Sequence, residues 1–183
     1  MTQISTTQED LIGLAGSQLW DFAGIDGLQL AKRLVGNAVE RIAPFQSLET
    51  TINCGTCSLL RLCEGNFRLR IYSHAPEFGL YILSLQSDLQ VWVKQCQWIA
   101  AIALPESVGL NALAEIAVPK PPYRLKQMSI NSAAPARIDG TSVLIWRHFI
   151  QGQPVFELHT AAAALETVKL KLTTEPSTKK DMI

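Results

Sequence analysis

The sequence predicts an α+β fold with an N-terminal helix pair, an antiparallel sheet built on two β-hairpins, and a C-terminal helix. Three observations carry this expectation. Apolar residues recur at helical spacing across 6–43. They alternate with polar residues in SLLRLCEGNFRLRIYS (58–73) and again in SVLIWRHFIQGQPVFELHT (142–160). They return to helical spacing in AAAALETVKL (161–170).

In chain order, Thr6 and Glu9 have the spacing of a capping box, and Leu11, Leu14, Ala15 and Phe22 form one stripe behind them. The segment AGIDG interrupts this first helix. Asp26 is placed to cap a second, which carries Leu30, Leu34, Ala38 and Ile42 along one face and stops before Pro44. Its basic pair, Lys32–Arg33, suggests a helix-turn-helix, but Val35 stands where the turn glycine belongs, so an amphipathic helix is the expectation. The segment SDLQVWVKQCQWIAAIAL (87–104) reads as one helix with Leu89, Trp92, Val93, Cys96 and Ile99 on a stripe, or as two strands, since Val91, Trp92 and Val93 favour sheet. The helix is the reading adopted. PKPPY (119–123) is a stiff connector, although PKPPYR also has the PxxPxR spacing of polyproline ligands. Thr160 is placed to cap the last helix, and TTEPSTKKDMI has the composition of a disordered tail. Residues 1–172 are thus expected to form one α+β domain and 173–183 a tail, with no internal repeat.

Composition narrows the function. Of the 183 residues 48% are hydrophobic and 17% charged, below the ~25% charged of an ordinary soluble domain, which suits a large core or an apolar surface kept for a partner. Lys+Arg and Asp+Glu balance at 16 each, against the basic excess that phosphate binding favours, so no nucleic-acid partner is expected. The polar start, MTQISTTQED, does not have the pattern of a signal peptide. The longest apolar run, WIAAIALP, is short of the ~20 residues that span a bilayer. A cytoplasmic location with reduced thiols follows as the expectation.

Three of the four cysteines fall in NCGTCSLLRLC (53–63). A two-residue loop at Gly65-Asn66 would pair Leu62 with Leu69 and Leu60 with Ile71, making one face wholly apolar. On that strand Cys57 and Cys63 would lie roughly 20 Å apart, too far to share a metal ion. Cys54 and Cys57 remain as a CxxC pair, for a redox or cofactor-maturation factor, or a zinc site completed by His74 or Cys96. Because a strand rather than a helix follows them, small buried hydrophobes are the default.

The same register places Arg61 opposite Arg70, with Arg68 and His74 on that face. Like charges across a sheet repel, so an anion or an acidic partner surface is expected to compensate. If those arginines serve binding, replacing Arg61, Arg68 and Arg70 with Ala would leave the thermal midpoint intact or raise it while abolishing partner retention. In the second hairpin a loop at Gly152-Gln153 sets His148 opposite Glu157, with His159 two residues further on. Two histidines and a carboxylate with open positions suit one divalent metal ion in a small metal-dependent enzyme. Nucleotide loops (GxxxxGK[ST], GxGxxG) and the GxSxG and HExxH patterns do not occur.

The last hairpin, VLIWRHFIQGQPVFE, resembles the R…(D)G-x-P…E hairpin of chorismate-lyase-like and UTRA effector-binding domains, over about fifteen residues. The resemblance transfers no residue role. Together these features lead to a non-catalytic binding or assembly module. It would engage a protein partner or a small anionic ligand through the arginine-bearing sheet face, with a homodimer as one arrangement.

Overall fold

The computed structural model describes residues 11, 12, 14 and 16–173. The Thr6–Glu9 capping box, Ala15 and the tail from 174 onward lie outside the described residues. The first sheet contains β1 (Gln18–Gly24), β2 (Ser47–Ile52), β3 (Gly55–Arg61), β4 (Asn66–Ile71) and β5 (Val91–Gln95). The second contains β6 (Ile99–Pro105), β7 (Ala117–Pro119), β8 (Ser132–Ile138), β9 (Thr141–Ile150) and β10 (Gln153–Ala161). Their strand orders are β2-β3-β4-β1-β5 and β6-β10-β9-β8-β7, and every pairing is antiparallel.

Helices α1 (Gly27–Val35) and α2 (Phe78–Gln86) cover the outer face of the first sheet. Leu30, Leu34, Phe78 and Ile82 pack there on Phe22, Leu59, Phe67 and Leu69. Helices α3 (Glu106–Ile116) and α4 (Leu165–Thr173) cover the second sheet, with Leu113, Val168 and Leu172 against Leu104, Phe156 and Leu158. Both sheets therefore have an apolar outer side, and their inner sides face each other. The α+β class holds, with two sheets where one was expected. Apart from the edge strands β5 and β7, which lie at opposite ends, each half also runs strand, helix, three strands, helix (β1-α1-β2-β3-β4-α2 and β6-α3-β8-β9-β10-α4), with β2-β3-β4-β1 and β8-β9-β10-β6 in matching order. The repeat is one of topology, and the sequence shows none.

Several elements differ from expectation. Thr160 lies in β10, donating its hydroxyl to the Ser142 carbonyl at 3.2 Å, and does not cap α4, which starts at Leu165. The first helix is overturned from Gln18 onward, where the chain is strand β1. Trp20 and Phe22 turn toward the helices, while Asp21 lies opposite Arg68 of β4, so a period of two satisfies a burial pattern that helical spacing does not. The second helix begins after Asp26 without a side-chain cap, and the Asp26 carboxylate instead accepts the Gln90 backbone N–H at 2.7 Å. Its basic pair is neutralised: Lys32 pairs with Glu40 and Arg33 with Asp88. Residues 87–104 form two strands rather than the expected helix, with Val91 and Val93 against the core and the chain crossing between sheets at 96–98.

The first hairpin carries the most consequential correction. Arg61 pairs with Phe67, Leu60 with Arg68 and Ser58 with Arg70, three positions away from the two-residue-loop register. An odd shift reverses β3 relative to β4. Close approach between glycines fixes this corner: a Cβ on Gly27 would lie 1.9 Å from the Gly65 carbonyl oxygen, and one on Gly65 would lie 2.3 Å from that of Gly24. In the second hairpin the loop is Gln151-Gly152, both at positive φ, and the register moves by two. An even shift leaves every side chain on its expected face.

Candidate functional site

Two sheets usually meet through apolar side chains. Here the contact holds a core of Leu60, Ala133 and Trp146, and beside it a buried polar cluster. Strand β4 alternates Phe67, Leu69 and Ile71 toward the helices with Arg68 and Arg70 toward the second sheet. Strands β9 and β10 reply with His148, Glu157 and His159. Glu157 and His148 have no exposed surface, and Arg70 has 4%.

Glu157 is the hub. Its Oε1 accepts from Arg70 Nε at 3.0 Å, from a second Arg70 nitrogen, and from His159 Nε2 at 2.5 Å. Its Oε2 accepts from His148 Nε2 at 2.9 Å. With Nε2 of both histidines donating, the network assigns Nδ1 of His159 as the acceptor from Arg68 NH1 (3.1 Å). Nδ1 of His148 lies 3.0 Å from the Tyr72 hydroxyl, which donates to the Phe149 carbonyl at 3.0 Å and also meets Ser58 Oγ at 2.6 Å. Arg68 grips Asp21 side-on, Nε to Oδ1 at 2.7 Å and NH2 to Oδ2 at 2.8 Å. The two guanidiniums and two carboxylates balance in charge, which makes the burial tolerable.

Ionisation follows from these contacts. Burial alone would raise the Glu157 carboxyl, but the Arg70 charge, with His159 and His148, holds it well below the usual range. Burial pushes the His159 imidazole down to about 4, against the opposing pull of Glu157. Protonating His159 therefore favours the unfolded chain: its contribution is intact above the ordinary value near 6.5 and is lost as pH falls toward 4. At pH 5 the chain is expected to be about 2 kcal/mol less stable than at pH 7.5. Urea titrations at both values check this, and His159→Gln should remove most of the difference. Equal midpoints for the native chain would contradict it.

The structure brings together Arg68 and Arg70, and likewise His148, Glu157 and His159, and unites the two groups in one cluster. It separates Arg61 and His74 from them. Arg61 lies on the helix side of β3, 5.7 Å over the Phe67 ring, and donates to the carbonyls of Ile42 (2.9 Å) and Glu64 (3.1 Å). His74 is exposed beyond β4. The four residues thus do not share one open face, because the register shift sends Arg61 to the other side and the second sheet covers Arg68 and Arg70.

For a metal, the donor set is closed. The Glu157 lone pairs face four donors, and the Arg70 guanidinium occupies the cation's place. Among the described residues no three His, Cys, Asp or Glu side chains are arranged to hold a metal ion. Within the CxxC pair Cys57 is not activated: burial pushes its thiol up to about 12, away from a reactive thiolate, and likewise that of Cys96. Sequence reasoning missed Asp21, Ser58 and Tyr72. Asp21 was hidden by the helical assignment, although its charge amid Trp20 and Phe22 is the signal that would have found it.

The fold is shared with solved structures, among them the following two. The glycine cleavage system aminomethyltransferase T from Bartonella henselae matches with a TM-score of 0.71 and 16% identity, over 90% of this chain and 45% of that one. Heterotetrameric sarcosine oxidase from Corynebacterium sp. U-96, in complex with pyrrole 2-carboxylate, matches with a TM-score of 0.68 and 16% identity, over 92% of this chain and 85% of that one. The chain thus spans less than half of the aminomethyltransferase. No family model and no curated protein sequence matches it. Among the described residues no helix is long and apolar enough to cross a membrane.

Proposed function

We propose that this chain is a non-catalytic assembly module that works by engaging a protein partner. One observation carries the reading: Arg70, Glu157, His148 and His159, the side chains best suited to chemistry, are bonded to one another between the sheets. They join two halves of a fold, and Glu157 and His148 have no exposed surface. Two further facts support it. The sarcosine oxidase that shares the fold is heterotetrameric, and this chain covers most of the matched chain's length. On the surface, Trp92 and Trp98 are 51% and 43% exposed and Leu80 of α2 is 75% exposed, and aromatic and apolar groups of this kind concentrate in interface cores.

The test is native purification from the source cells, sizing of the complex and identification of its chains by mass spectrometry, with elemental analysis of the same sample. The expected result is elution with one other polypeptide in fixed ratio and metal well below one equivalent. A lone monomer carrying a full equivalent of metal would instead favour an enzyme using His148, Glu157 and His159. Abnormally fast thiol modification would favour a redox factor using Cys54 and Cys57.

A further inference from the structure

Beside the buried cluster the structure leaves a cleft of about 280 Å³. Arg68, His159, Lys120 and Ser142 supply its polar lining, Lys120 and Ser142 from exposed positions, and Ile99, Pro135 and Leu144 form an apolar wall. We infer that this cleft binds a small monocarboxylate with a compact apolar body, its carboxylate held between Arg68 and Lys120.

Arg68 is the strongest argument. It is only 8% exposed, yet two bonds to Asp21 and one to His159 use three of the five guanidinium N–H groups, leaving two without an acceptor among the described residues. A nearly buried donor without a partner is costly, and a ligand oxygen in the cleft would satisfy it. Electrostatics agree. Asp21 offsets the charge of Arg68, whereas Lys120 adds a cation that has no acidic partner among the described residues. Among the described residues no carboxylate lines the cleft. Size and lining set the class: the volume lies at the lower limit of small-molecule sites, and the apolar wall suits an aromatic or branched body rather than phosphate. This inference is independent of the identity of any protein partner.

The test uses the full chain and sodium benzoate as probe, followed by amide and imidazole NMR shifts. Saturable shifts at Thr160 and His159 at millimolar benzoate are expected, with much weaker responses to benzamide and to inorganic phosphate. Lys120→Ala, at an exposed position, should weaken binding about two- to fivefold. Ser142→Trp, also exposed, should block the cleft and abolish the response while the rest of the spectrum stays native. Absence of saturation, equal binding of benzamide or phosphate, or undiminished binding by Ser142→Trp would each overturn the assignment.

Discussion

Glu157→Gln is expected to lower the free energy of unfolding by about 3–5 kcal/mol, measured by urea titration at neutral pH. The amide nearly matches the carboxylate in shape, so the loss reports charge and hydrogen bonding. Arg70, 4% exposed, would keep its buried guanidinium with no counter-charge, and His148 and His159 would each face an amide where a carboxylate had accepted their N–H. Removing one partner of a buried pair costs more than removing both, because the survivor stays desolvated. Loss of less than about 1 kcal/mol would mean that water reaches the cluster and that the sheets are held chiefly by their apolar contacts.

Trp146→Ala is expected to cost a similar amount, about 3–5 kcal/mol. The indole is fully buried, lies over the His148 ring with centroids 4.0 Å apart, and meets His159 edge-on at 5.8 Å. Its Nε1–H donates to Ser47 Oγ at 2.9 Å, tying β9 to an outer strand of the opposite sheet. Truncation would open a cavity beside the ion cluster and leave the buried Ser47 hydroxyl without that donor. Trp146→Phe should cost about 1–2 kcal/mol, retaining most of the packing and losing the bond. Urea titrations of both variants check the order, and equal losses would remove the bond from the account.

How much of this was legible depended on whether a feature was local. Alternation in β4 separates Arg68 and Arg70 from Leu69 and Ile71 by simple periodicity, and that separation is real. The second hairpin kept His148, Glu157 and His159 on one face because its loop differs from expectation by an even step. The first did not, because its corner is set by contacts among Gly24, Gly27 and Gly65 that lie far apart in sequence. An odd step there moved Arg61 away from the other arginines. No window of sequence shows that the first hairpin's charged face and the second's close on each other. Each looked like an exposed site in need of a ligand, and each supplies much of what the other lacks. The repeated topology was equally invisible, being kept in strand order without a repeated pattern of residues.

The account turns on whether the Arg70–Glu157 pair serves the fold or a ligand. The double variant Arg70→Met with Glu157→Leu, compared with both single variants in stability and in native partner capture, tests this most directly. The account predicts that the double variant regains most of the stability lost by either single change and still captures the partner. A double variant that folds well but no longer captures it would show that the charged cluster is itself the functional site.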